Sequence, residues 1–187
     1  MAAATALTAM DALLVVDMQV GLLAGAPKYD LPGVVGRINR LANRVREQAG
    51  KVVWIQHCGP AGDDFEPNKP GWAFLPELIR REDDAVVPKT LNDAFAGTGL
   101  QALLERIAPS RLLIAGWATD FCVDATVRSA VSNGHPVVVV EDGHTLNDRP
   151  HLDAPTVIRH HNWVWRYLIS KRSIRVASCA EILEEAS

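Results

Sequence analysis

Three short stretches of the chain end in side chains able to do chemistry. The apolar run "ALLVV" closes on Asp17, followed by Met18 and Gln19, and "AVVP" closes on Lys89. The stretch "RLLIAGWATDFCVDATVRSA" carries Cys122 a few residues beyond its apolar segment. A carboxylate, an ammonium and a thiol are the parts of an assisted nucleophile. A thiol attacks as thiolate, and its free pKa lies about one to two units above neutral. The unpaired amides of a helix start and a nearby Lys both favour the ionised sulfur. A neighbouring carboxylate can take the proton and later return it to a leaving group. Lys89 is expected to keep Asp17 ionised despite partial burial. A sharp strand-to-helix turn also aims backbone N–H groups at the space before the sulfur, where they can hold an oxyanion. Gly116, Ala118 and Thr119 are small enough for such a turn.

Taken singly, each residue has a plainer reading. Asp17 suits a helix cap, Lys89 a solvated loop charge, and Cys122 an inert buried thiol. Taken together they point to one site, because each follows a different strand candidate and ligands on open α/β sheets sit beyond the strands' carboxyl ends.

The elements that must position them alternate along the chain. Strand candidates are residues 12–16, 51–56, 85–87, 111–115, 136–140 and 174–177, rich in Val, Ile and Leu without polar alternation. That pattern belongs to parallel strands covered on both faces. Helical patterns fill 34–48, 100–107, 122–132, 155–168 and 180–185, with Pro155 suited to a first helical turn and Asn133-Gly134 to a helix end. Right-handed crossovers then give an α/β fold: a three-layer α/β/α sandwich, Rossmann-like, with a mostly parallel sheet of about six strands. The 187 residues form a single domain, with residues 1–10 a flexible tail. The irregular stretch "HCGPAGDDFEPNKPGW", residues 57–72, is long enough to be functional.

Composition narrows the partners. Nineteen basic against 22 acidic residues leave a net charge of −3, which gives no basic face for nucleic acid. Apolar runs are strand-sized, so no membrane span is expected. Three scattered cysteines make neither a disulfide framework nor a CxxC motif, and fit a reducing cytoplasm. No G-x-S-x-G, P-loop or G-x-G-x-x-G is present, against serine-hydrolase, NTPase and dinucleotide chemistry.

At its chemical residues the sequence resembles a known family. "LLVVDMQ", "PKTLNDAF" and "GWATDFCVDATVRSA" look like the three signature regions of the isochorismatase-like cysteine hydrolases, over residues 11–178. That resemblance implies a catalytic triad of Asp17, Lys89 and Cys122. It also implies a cis peptide between Trp117 and Ala118, and an oxyanion hole from the N–H groups of Ala118 and Cys122. Family members commonly form oligomers, so a dimer or tetramer is expected. The chain departs from the nicotinamidase pattern, since the D-x-H…H metal cluster is replaced by "QHCGPAGDDFEP" with a single His57. No metal and no cofactor is carried over. The expected substrate is a small amide or ureide; an isochorismatase-type vinyl-ether hydrolase and a silent oligomeric relative are the alternatives.

Around this centre, Gln19, Trp72, Asn92, Trp117 and Phe121 are candidate substrate contacts, although residues placed like Gln19 and Asn92 are more often loop stabilisers. Trp54 is expected in the core. His57, at a strand end, is the best placed of the histidines; His144 and His151 are weaker, and His160 and His161 read as packing residues. Cys58 and Cys179 read as structural thiols.

Overall fold

Every residue of the first apolar run is buried, and it forms strand β1, Ala12–Val16. The computed structural model describes residues 11–185; the expected tail at 1–10 lies outside them. The remaining strands are β2 (Lys51–His57), β3 (Ala85–Lys89), β4 (Leu112–Trp117), β5 (Val137–Thr145) and β6 (Ile174–Ala177). The helices are α1 (Val20–Leu23), α2 (Leu31–Glu47), α3 (Leu100–Ile107), α4 (Asp124–Ser132), α5 (Ala154–Arg166) and α6 (Cys179–Glu184). Among the described residues one sheet runs β3-β2-β1-β4-β5-β6, with every neighbouring pair parallel. The chain order reverses between β1 and β4, which makes their carboxyl ends the place for a ligand.

The pleat sends alternate side chains into two cores. Leu13, Val15, Trp54, Leu113 and Val138 pack on Ile38, Leu41 and Val45 of α2 and Ile182 of α6. Leu14, Val16, Ile55, Val87, Ile114 and Val139 pack on Leu104 of α3, Val127 and Ala130 of α4 and Trp165 of α5. Trp54 is fully buried, as expected, and its indole nitrogen donates to Asp84 at 2.9 Å. Helix α5 starts where Pro155 places it, with the Asp153 carboxylate accepting from the Thr156 amide at 2.8 Å.

Two of the boundaries that differ from expectation fall at the site end of the sheet. Strand β5 runs on through Glu141, Asp142, Gly143, His144 and Thr145, polar residues that conceal a strand. Its pairing with β4 jumps from Ile114↔Val139 to Gly116↔His144, so the extra residues bulge. Gly143 permits that bulge, since a Cβ there would lie 2.6 Å from Val140 Cγ1. Helix α4 begins at Asp124, and Cys122 belongs to a wider turn, Thr119–Val123, ahead of it.

Candidate active site

Asp17 stands one residue beyond β1 with φ +51, a left-handed conformation that Asp tolerates better than most residues. Its N–H donates to Ile55 at 3.0 Å and its carbonyl accepts from Gln19 at 2.8 Å, so the bend is fixed from both sides. Gly116 brings β4 against β1 at the same level. Its φ is +129, and a Cβ would fall 2.1 Å from the Val16 oxygen. Only glycine allows that approach.

Lys89, the last residue of β3, reaches across the strand ends. Its Nζ lies 2.6 Å from Asp17 Oδ2, 3.4 Å from Cys122 Sγ and 2.9 Å from the Leu91 carbonyl. Both charged side chains are fully buried, whereas Cys122 is half-buried. Asp17, Lys89 and Cys122 therefore meet, as the sequence led us to expect.

The sulfur's charge state differs from expectation. Burial raises the Asp17 pKa above its ordinary value, against the pull of the Lys89 ammonium. Burial first, and the Asp17 charge next, push the Cys122 thiol up to about 12, although Lys89 opposes them. Sulfur at rest is thus held as a thiol rather than a standing thiolate, between Lys89 Nζ at 3.4 Å and the Asn92 amide oxygen at 3.6 Å. Desolvation outweighs the helix start and the lysine, because the sulfur lies inside the wide turn rather than before a run of open amides.

That turn is wound loosely. Val123 N–H donates to the Ala118 carbonyl at 3.1 Å, a span of five residues, as does Asp124 N–H to Thr119. Widened turns of this kind recur at functional sites. The peptide between Trp117 and Ala118 is cis.

The outer candidates separate into two groups. Asn92 Oδ1 lies 3.6 Å from Cys122 Sγ, and Phe121, next to the sulfur in the chain, is 53% exposed beneath the Arg149 guanidinium. Trp117 closes β4, half-buried, with the Lys28 ammonium 5.3 Å from its ring centroid. Gln19 is different. It is fully buried, its amide nitrogen donating to the carbonyls of His57 (3.0 Å) and Trp72 (2.8 Å) while its oxygen accepts from His57 N–H (2.7 Å). Its donors are spent on the backbone, so it is a loop clamp rather than a substrate ligand. Trp72 donates its indole N–H to Cys58 Sγ at 3.3 Å and lines a groove of about 590 Å³ with Gln56, Phe74, Leu78 and Arg80. None of the three reacting side chains lines that groove.

His57 is the residue that sequence reasoning undervalued. It pairs with Lys89 across β2 and β3 and touches Phe65 edge-on at 5.8 Å. Burial, then the Lys89 charge, lower its pKa, while Asp17 pulls the other way. A neutral imidazole thus borders the charged pair. Its parity with Ile55 was the available signal, usable only with the β2–β3 register. His161 packs on Trp165 as expected, at a centroid distance of 5.6 Å. Among the described residues, no group of three His, Cys, Asp or Glu side chains is placed to hold a metal ion, and no helix is long and apolar enough to cross a membrane.

A buried acid and lysine facing a thiol across the switch point of a parallel sheet define a class of α/β proteins with a cysteine-centred site. Residues 11–160 match the isochorismatase domain, and the chain belongs to that family. It is 37% identical over 142 residues to a streptothricin hydrolase of Streptomyces noursei, covering 75% of this chain and 51% of the relative. A second streptothricin hydrolase from that organism is 36% identical, with 62% of its length covered. The chain thus spans about half to three-fifths of these relatives. The crystal structure of an isochorismatase family protein superposes with a TM-score of 0.82 at 29% identity, covering 90% of this chain and 98% of the other.

Proposed function

We propose that the protein is a thiol-dependent hydrolase that cleaves the C–N bond of a small amide or ureide through a thioester. The observation that carries this reading is the meeting of the Cys122 sulfur with the buried Asp17–Lys89 pair. Asp17 takes the thiol proton as sulfur attacks the carbonyl carbon, so no standing thiolate is needed. Its raised pKa makes it the stronger base. The carbonyl oxygen gains the negative charge and rests on the N–H groups of Ala118 and Cys122. As the C–N bond breaks, Asp17 gives its proton to the departing nitrogen, leaving an acyl group on sulfur. Water then attacks the thioester; Asp17 takes the water's proton and returns one to the sulfur, releasing the acid. Lys89 stays charged and holds Asp17 in place throughout.

The streptothricin hydrolase name supports hydrolysis as the general activity. Asn92, Trp117, Phe121 and the loop at 57–72 are the proposed specificity elements, and a homo-oligomer, dimer or tetramer, is part of the same proposal. A panel of small amides, ureides and carbamoyl compounds assayed for released ammonia tests the reading. The expected result is turnover that disappears in Cys122→Ala, with an acyl adduct on the wild-type chain by intact mass. Ammonia release that survives in Cys122→Ala overturns it.

A further inference from the structure

His144 is fully buried, far from any solvent proton, yet both ring nitrogens are engaged. Nδ1 lies 2.9 Å from Thr119 Oγ1 and Nε2 lies 3.1 Å from Asn162 Oδ1. The network fixes who donates. Asn162 spends its Nδ2 on the Glu141 carbonyl at 3.0 Å, so its oxygen faces the ring as an acceptor. His144 Nε2 must therefore carry the proton and Nδ1 must be bare. Thr119 then donates its hydroxyl to Nδ1. One chain of directed hydrogen bonds runs from β5 through α5 and back into the turn that holds Cys122.

The turn needs such an anchor. Five-residue winding is rare and survives mostly as single turns at the edge of or inside ordinary α-helices. If Thr119–Val123 tightened to ordinary winding, the following residues would shift one position, about 100° around the axis. The sulfur would swing away from Lys89 Nζ, now 3.4 Å distant. Thr119 sits at the base of the turn, and the β5 bulge sets His144 directly beside Gly116 to receive it. Asp120, the next residue, is gripped from outside by Arg149, at 2.7 and 2.8 Å. Burial holds the His144 pKa down at about 4, which keeps Nδ1 bare.

We propose that His144 is a positioning residue for the nucleophile, acting through Thr119 to keep the wide turn wound so that Cys122 faces Asp17 and Lys89. This rests on Cys122 being the nucleophile, but not on what it attacks.

The test is the rate of Cys122 alkylation by iodoacetamide in the full chain, read by peptide mass mapping so that Cys58 and Cys179 serve as internal references. Thr119→Val keeps the shape and removes the donor; it should slow Cys122 alkylation about tenfold or more while leaving Cys58 unchanged. Thr119→Ser should restore the rate. In an Asp17→Asn background, Thr119→Val should add nothing, because both act on one proton transfer. Wild-type alkylation in Thr119→Val, equal slowing in Thr119→Ser, or losses that simply add would each overturn the inference. Should Thr119→Val not fold, His144→Asn keeps an acceptor near Nδ1 and His144→Leu keeps none. Alkylation faster in His144→Asn supports the inference, and equal rates sink it. If no amide is hydrolysed yet Thr119→Val slows alkylation through Asp17, the substrate reading fails and the positioning role stands.

Discussion

The two halves of the sheet equip the site in opposite ways. The β1–β2–β3 half supplies a carboxylate and an ammonium with no exposed side-chain surface, bound to each other at 2.6 Å. The β4–β5 half supplies a half-buried sulfur on a loosened turn, held from behind by His144 and from outside by Arg149. Charges kept dry act strongly on whatever lies beside them. A nucleophile must meet its substrate, so it cannot share that depth. The contrast shows proton handling assigned to the rigid side and contact with the outside to the adjustable one.

That contrast breaks most visibly at the sulfur. Cys122→Ala should lower hydrolysis by at least about 10⁴-fold. Its unfolding midpoint in urea should barely move, because the side chain is only half-buried. A large loss of stability would mean that both halves are structural.

Next comes the charged pair. Lys89→Met leaves a buried carboxylate unpaired and should cost about 3–5 kcal/mol in chemical denaturation. The double variant Lys89→Met/Asp17→Leu should recover most of that, since apolar replacement of a buried pair is often neutral. Failure of the double variant to recover would show that the pair holds the fold.

His144 gives a pH-dependent signature on the other half. Its folded pKa of about 4 lies below the ordinary 6.5, mainly through burial, and His161 and Asp142 are the titratable groups that face it. The unfolded chain therefore binds more protons between these values, and stability rises with pH there. The contribution is complete above 6.5 and is lost as pH falls towards 4, worth about 3 kcal/mol in all. The difference in unfolding free energy between wild type and His144→Gln, followed from pH 7 to 4, should shrink accordingly.

The smallest effect belongs to the clamp. Gln19→Leu strands the His57 amide and two carbonyls, and should cost about 1–3 kcal/mol. It should also speed hydrogen exchange at the His57 amide. Unchanged exchange would leave the 57–72 loop without its proposed anchor.

How much of this was legible depended on whether a residue's role was set by its own strand or by its neighbours. Apolar runs gave every strand, and their ends gave Asp17, Lys89 and Cys122, because strand order and parallel direction are enough to bring those ends together. The tail of β5 was hidden, since "EDGHT" carries no apolar pattern and pairs only through a bulge. Gln19 looked like a substrate ligand because nothing in sequence reveals that Trp72, 53 positions on, returns to accept its proton. The thiol's neutral state was misread for the same reason: helix start and lysine are visible along the chain, whereas depth is not.

Gly116 leaves β4 no side chain to hold it off β1, so main chain rests directly on main chain between Asp17 and Cys122. The interval from proton acceptor to attacking atom is thereby ruled by peptide geometry, which no repacking of the interior can stretch. Loops beyond that contact can be exchanged to suit new molecules while the reaction stays in tune. Enlarging residue 116, by contrast, would detune the chemistry for all of them at once.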